Sequence, residues 1–255
     1  MSLKMFDLTG RIALVTGSSR GIGLAIAEVL LAAGAEVILN ARGKAELEAT
    51  RARLAAKGGK VHAVSFDVAD PAAVEENIAR IEAEIAPIDI LVNNAGMQKR
   101  APLQDFAQAD WQQLMRTNLD SVFVVGQAVA RHMIPRGRGK IINTCSLASE
   151  VGRQTIAPYT TAKGAVKMLT KAMCVDLARY NIQVNGIGPG YFKTELNTAL
   201  WSNVDFDNWV KGRTPAGRWG DVEELQGVAV FLASDAASFV NGQVIYVDGG
   251  LLSSM

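Results

Sequence analysis

From end to end, the chain alternates between short apolar or β-branched runs and Ala-, Leu- and Glu-rich stretches of helical character. The runs fall at 12–15, 37–39, 61–66, 88–92, 140–144, 183–187 and 243–247, and the stretches between them include 21–33, 45–57 and 72–85. Repeated strand–helix alternation requires a parallel sheet, because each strand must be carried back across the sheet before the next one starts, and the returning helices cover both faces. Right-handed crossovers make such a sheet doubly wound. The expected class is therefore α/β, with a seven-stranded doubly wound parallel sheet in one domain over 1–255, a length within range for one large α/β domain. No linker, low-complexity tract or internal repeat interrupts it. The pattern breaks once, over 190–218, which carries Trp201 and Trp209 just ahead of Trp219 but no clean strand. An insertion after a late strand is expected to form a lid over the carboxyl ends of the sheet; a helical pair packed on a neighbouring subunit is the other reading.

Composition sets limits on function. Lys plus Arg total 26 against 25 for Asp plus Glu, so a net charge of +1 provides no global field for nucleic acid or an anionic membrane. Any anion must be held by a local site. Cys145 and Cys174 are the only 2 cysteines, too few for a disulfide framework or zinc spacing, and are expected to be reduced and buried. The 2 histidines, His62 at a strand start and His132 near a helix end, are expected to be structural or solvent-facing, and no metal site is expected. The opening Met1-Ser2-Leu3-Lys4-Met5-Phe6-Asp7 lacks an apolar signal core, and no apolar run is long enough to span a bilayer, so a cytoplasmic location is expected. Met5 is a second candidate start, which leaves open whether residues 1–4 are native.

The first strand runs straight into Thr16-Gly17-Ser18-Ser19-Arg20-Gly21-Ile22-Gly23. Glycines at 17, 21 and 23 permit a tight turn and let the backbone approach a pyrophosphate, while the helix that starts near Gly21 offers free N–H groups and its positive dipole end. A glycine-rich string is weak alone; following a strand and opening an amphipathic helix, it reads as a dinucleotide site. The second strand reports on the adenosine ribose. NAD enzymes place an acid there for the 2′-hydroxyl. This strand ends Ile38-Leu39-Asn40-Ala41-Arg42, without an acid, and Arg20 sits in the glycine turn. Two guanidinium groups near one ribose suit a 2′-phosphate, so NADP is expected ahead of NAD.

Gly17-x-x-x-Gly21-x-Gly23 resembles the cofactor loop of the short-chain dehydrogenase/reductase family, and further motifs follow in order along essentially the whole chain. Asp67-Val68 resembles the pair that contacts adenine, and Asn93-Asn94-Ala95-Gly96 the family's structural and cofactor-lining turn. Asn118 lies in a mid-chain helix, Ser146 follows strand five, and Tyr159-Thr160-Thr161-Ala162-Lys163 opens a long helix. Pro189-Gly190 follows strand six, and Thr194 matches the residue that contacts the nicotinamide amide. The resemblance implies a Rossmann fold, a catalytic set of Asn118, Ser146, Tyr159 and Lys163, and a cofactor site formed by Gly17, Ser19, Arg20, Gly21, Ile22, Gly23, Asn40, Arg42, Asp67, Val68, Asn94, Ala95, Gly96, Tyr159, Lys163, Pro189, Gly190 and Thr194.

The residue types fit that chemistry. Tyr159 and Lys163 are one helical turn apart on one face. A free phenol keeps its proton at neutral pH, and an ammonium beside it favours the phenolate. The resemblance further implies that Lys163 reaches the cofactor ribose, that Ser146 holds the substrate oxygen, and that Asn118 anchors a water on the proton path. A Tyr-x-x-x-Lys pair by itself would be an ordinary helix surface; its place after Ser146 and the glycine turn gives it weight.

The substrate pocket should be lined by the loops after strands four, five and six, with Gln98, Lys99 and Arg100, with Glu150 and Arg153, and with Tyr191. From these the expected substrate-binding set is Gln98, Arg100, Ser146, Glu150, Arg153, Tyr159 and Tyr191. A polar, largely cationic lining suits a hydroxylated acid such as a sugar acid better than a steroid or a long acyl chain. The segments 93–100, 150–153, 190–196 and 213–220 resemble the bacterial gluconate 5-dehydrogenase branch of the family, which implies interconversion of D-gluconate and 5-dehydro-D-gluconate. Two alternatives stay open: a 3-oxoacyl-carrier-protein reductase, which shares the catalytic motifs but calls for a basic docking surface, and a non-catalytic nucleotide-binding scaffold, whose mark would be loss of the Tyr or Lys. The resemblance implies a homotetramer. Val122, Phe123, Val125 and Val129 put apolar residues on more than one face of the helix after Asn118, which is consistent with this.

Overall fold

In the computed structural model, which describes residues 3–254, the seven runs are the seven strands of one parallel sheet. Met1 and Ser2, and with them most of the question about residues 1–4, lie outside the described residues. The elements run β1 Ile12–Thr16, α1 Gly21–Ala32, β2 Glu36–Ala41, α2 Lys44–Ala55, β3 Val61–Ser65, α3 Pro71–Arg80, β4 Ile90–Asn93, α4 Gln108–Met115, α5 Ser121–Arg136, β5 Gly139–Thr144, α6 Ala157–Leu177, β6 Ile182–Pro189, α7 Thr198–Trp201, α8 Val204–Arg213, α9 Gln226–Ala233 and β7 Val244–Val247. Strand order is β3-β2-β1-β4-β5-β6-β7, so the winding direction reverses between β1 and β4. In open α/β sheets the ligand crevice lies at this switch, beyond the carboxyl ends of the strands.

Side-chain alternation along each strand divides the core into two layers. Ala13 and Val15 of β1 point to the layer with Ile26, Leu30, Leu47 and Leu232 from α1, α2 and α9, whereas Ile12 and Leu14 point to the layer with Val74, Ile78, Val125 and Val129 from α3 and α5. With both faces covered, β1 is apolar up to Thr16 and buried along its whole length. Helix ends follow local chemistry. Asp70 caps α3 by accepting from the Ala72 and Ala73 N–H groups, with Pro71 at the first helical position. At the end of α5, Gly137 takes the left-handed conformation at φ 63° that a Cβ would disfavour. Cys145 is buried as expected; Cys174 is only half-buried, because it packs at the rim of the α5–α6 layer and not inside it. The His62 Nε2–H donates to the Glu36 carboxylate across the β2–β3 pair at 2.5 Å, a structural position. No helix among the described residues is long and apolar enough to cross a membrane.

Candidate active site

The carboxyl ends of β1, β4, β5 and β6 open into one cavity of about 540 Å³. Its floor is set by Thr16, whose hydroxyl donates to the Val92 carbonyl (3.3 Å) and accepts from the Asn94 and Ala95 N–H groups (2.9 and 3.0 Å), locking β1 to the loop after β4. Asn94 returns its side-chain amide to the Thr16 and Gly17 carbonyls at 3.0 and 3.1 Å. The glycine turn is therefore held from below, and only glycine fits it. Gly17 and Gly21 have φ of 63° and 58°. A Cβ on Gly23 would lie 2.4 Å from the Gly17 carbonyl oxygen and 2.4 Å from the Asn94 amide nitrogen. The N-terminus of α1 points its unpaired N–H groups into this cradle.

Every residue expected for the cofactor lines the cavity, including Ser19, Ile22, Asp67, Val68, Ala95, Gly96, Pro189, Gly190 and Thr194. Asn40 lines it as well, but its amide is spent on the Val64 and Phe66 carbonyls (3.1 and 3.2 Å), fastening β2 to β3. Arg20 and Arg42 stand at the same edge with largely exposed side chains. Their contacts are loose: Arg42 lies 3.8 Å from Asp67, and Arg20 lies 3.9 Å from both Glu46 and Glu195. Pairs this long and exposed hold little energy, so both guanidinium groups are available to an anion.

Deeper in, α6 brings Tyr159 and Lys163 to the same wall of the cavity. The Lys163 ammonium is buried, donates to the Thr144 carbonyl at 2.6 Å and lies 5.7 Å from the Tyr159 ring centroid. Ser146 follows β5, and its hydroxyl oxygen accepts from the Ala148 N–H at 3.1 Å, which leaves the hydroxyl hydrogen to donate elsewhere. Ser149 donates to the Lys163 carbonyl at 2.8 Å and so ties this turn to α6. A buried chain that sequence reasoning missed sets the helix's height. Asn93 donates to the Asn143 side chain at 3.0 Å, and Asn143 donates to Thr170 of α6 at 2.9 Å. Such amides look like loop-formers in a sequence, and only the strand register reveals their partners.

Asn118 is fully buried on a π-helical turn, Arg116–Asp120, between α4 and α5. Its oxygen accepts from the Met97 N–H and its amide donates to the Met97 and Leu114 carbonyls, all at 3.0 Å. The extra residue in that turn swings the side chain out of the helix to reach the loop after β4.

Of the residues expected around the substrate, Gln98, Arg100, Ser146, Arg153, Tyr159 and Tyr191 line the cavity. Glu150 does not: its carboxylate turns away to accept from Lys167 and from the Tyr246 hydroxyl, both at 2.5 Å. The Lys167 hydrogen bond holds Glu150 below the usual carboxylate range. Desolvation, and then Glu150, pushes the Tyr246 phenol well above its ordinary value. Lys99 likewise points outward to pair with Asp110. Both departures have one cause: a neighbouring helix carries a charge of opposite sign that no pattern in the loop itself reveals. Desolvation, followed by the nearby Arg153, lowers the Arg100 guanidinium. Desolvation raises the Tyr191 phenol, with Arg153 and Arg100 opposing it. The structure also adds Arg213, Trp209, Leu251 and Leu252 to the lining. The C-terminal pair reaches the site only because β7 returns the chain to it, and no local signal marks them.

Comparison with known proteins agrees with this geometry. A family model described as enoyl-(acyl carrier protein) reductase matches residues 17–252. Gluconate 5-dehydrogenase of Gluconobacter oxydans is 56% identical over 98% of both chains, and 5-keto-D-gluconate 5-reductase of Escherichia coli K12 is 49% identical over 97% of this chain and 98% of its own. The crystal structure of a gluconate 5-dehydrogenase from Burkholderia cenocepacia J2315 in complex with NADP and tartrate superposes with a TM-score of 0.98, at 56% identity and with 100% of both chains covered. The strand order, the glycine cradle and the Ser-Tyr-Lys wall thus have one explanation: the chain belongs to the short-chain dehydrogenase/reductase family.

Proposed function

We propose that the protein is an NADP-dependent oxidoreductase that interconverts D-gluconate and 5-dehydro-D-gluconate. The observation that carries this reading is the juxtaposition, in one cavity, of the Ser146–Tyr159–Lys163 wall with Arg100 and Arg153, neither of which is paired with a carboxylate among the described residues. A hydride-transfer centre facing unpaired guanidinium groups suits a substrate with a secondary alcohol and a carboxylate. The relatives described above carry names for this interconversion at 49–56% identity. The same unpaired cations disfavour an acyl-carrier substrate, and the intact Tyr159 and Lys163 disfavour a scaffold role.

NADP fits the cavity's other half. Gly17 and Gly23 leave a cradle that a Cβ would fill, and Arg20 and Arg42, at the same edge of the cavity, would hold a 2′-phosphate. Ser19, Ile22, Asn94, Ala95 and Gly96 would hold the phosphates and ribose, Asp67 and Val68 the adenine, and Pro189, Gly190 and Thr194 the nicotinamide; all of them line the cavity. When bound, NADP supplies the hydride acceptor. The protein's groups handle the proton. Ser146 donates its free hydroxyl hydrogen to the substrate oxygen and presents it to Tyr159. Tyr159 takes the alcohol proton as hydride leaves the carbon, and the Lys163 ammonium stabilises the charge on the phenol oxygen. Asn118 fixes the 96–98 loop and, through its remaining acceptor capacity, a water of the proton path. In reduction the same groups run in reverse.

The segment 190–218 acts as a lid on this single domain, and the protein works as a cytoplasmic homotetramer; exposed Phe123 of α5 and Met168 of α6 support an interface on those helices. The test is a panel of sugar acids, polyols and acyl ketones with NADP and NAD. NADPH formation is expected with gluconate. No turnover of gluconate, alongside turnover of another alcohol, removes the substrate assignment.

A further inference from the structure

Behind Arg153 the lid forms an aromatic cluster. Phe206, on α8, stacks on Trp209 (centroids 5.4 Å, 27° apart) and meets Tyr191 edge-on at 5.8 Å and Trp219 at 6.3 Å. Trp219 is buried and donates through its indole N–H to Asp207 of α8 at 2.8 Å, which ties the helix to it. The Arg153 guanidinium lies 4.9 Å from the Phe206 ring centroid, inside the range of a cation–π contact. Arg153 lines the cavity and Phe206 does not, and the Arg153 Nε is buried without a hydrogen-bond partner. A half-buried guanidinium with its buried Nε donor open, no carboxylate partner among the described residues and an aromatic face behind it is a group held ready for an anion from outside.

We propose that Phe206 is a positioning residue for substrate recognition, holding the Arg153 guanidinium against the lid so that its free edge faces the carboxylate of the bound acid. This rests on the sugar-acid reading above and deepens it: recognition of the acid is coupled to the folding of α8 over the cavity. The ring supports the cation from the side away from the substrate, where a carboxylate would capture it instead, and a purely aliphatic residue would leave it free to rotate.

The experiment measures steady-state kinetics with gluconate and NADP in the whole protein. Phe206→Leu is expected to raise KM for gluconate about three- to tenfold, the range for losing a partly desolvated cation–π contact, with kcat within about twofold and NADP affinity unchanged. Phe206→Tyr, which keeps the ring, is expected to restore the wild-type KM. In an Arg153→Met background, which itself raises KM, adding Phe206→Leu is expected to change KM by less than about twofold, because its effect passes through the arginine. Should Phe206→Leu fold poorly, pentafluorophenylalanine at position 206 retains the ring's shape, inverts its charge distribution and is expected to raise KM likewise. An unchanged KM in both replacements, or a rise of the same size in the Arg153→Met background, overturns the assignment while leaving the sugar-acid reading intact. Failure of the wild-type protein to oxidise gluconate overturns both.

Discussion

Tyr159 and Arg42 show how differently single side chains can matter in one cavity. Tyr159→Phe removes one oxygen from a half-buried ring and leaves the contact with Lys163 in place. Turnover is expected to fall by at least about 10²–10⁴, the scale of lost proton transfer, while NADPH binding, followed by fluorescence titration, stays at the wild-type level. Near-normal turnover would remove Tyr159 from the mechanism. Arg42 is exposed, with one loose ionic neighbour, so its replacement costs little stability. Arg42→Ala is expected to raise KM for NADP about tenfold and to leave that for NAD nearly unchanged, narrowing the ratio of kcat/KM values; equal effects on both cofactors would exclude a 2′-phosphate contact. At this scale the sequence was legible wherever a side chain's role depends on its own loop. Arg100 and Arg153 reach the cavity as expected, whereas Glu150 was misread because Lys167 and Tyr246 decide its direction.

Elements transmit these roles through their ends. At the start of α1, Gly23→Ala would drive a Cβ into the Gly17 carbonyl, which Asn94 holds in place. An overpacking cost of about 1–3 kcal/mol is expected, seen as a Tm lower by roughly 2–12 °C, with NADP affinity weakened more than about tenfold. Gly227→Ala in α9 meets nothing within 4 Å and serves as the control, with a Tm at or slightly above the wild-type value. Just before α9, Arg218 pairs with Glu224 at 2.6 Å, and Glu224 also accepts from the Asp221 N–H at 2.9 Å. The Arg218 contact, then the Asp221 N–H, lower Glu224 to about 2. A carboxyl whose folded-state value lies below its unfolded one stabilises the fold above the unfolded value of about 4.3, and that stabilisation is lost as pH falls toward 2. The difference in Tm between wild type and Glu224→Gln is therefore expected to be constant from neutral pH to about 5 and to shrink below it; because the pair is exposed, it is also expected to shrink in high salt. A difference independent of pH would show that the carboxylate's charge is not what stabilises this turn.

For the whole molecule, the outer faces of α5 and α6 carry exposed Phe123, Met168 and Val175, while Val122, Val125 and Val129 are already buried within one chain. A homotetramer is expected, with a solution mass about four times 27.2 kDa by light scattering, and Phe123→Glu with Met168→Glu is expected to reduce it; a monomeric wild type would refute the assembly. What the sequence determined alone was the periodic part: seven strands, the helices between them, the glycine turn and the Tyr159–Lys163 spacing, because hydrophobic period, glycine geometry and helical pitch act over a few residues. What the tertiary structure decided was everything that depends on a distant partner. The Asn93–Asn143–Thr170 chain, the outward turn of Glu150, the π-helical turn under Asn118 and the C-terminal Leu251 in the cavity all join residues far apart in sequence. The strength and direction of a hydrogen bond or an ion pair depend on where its second member stands, and only the folded sheet places that member.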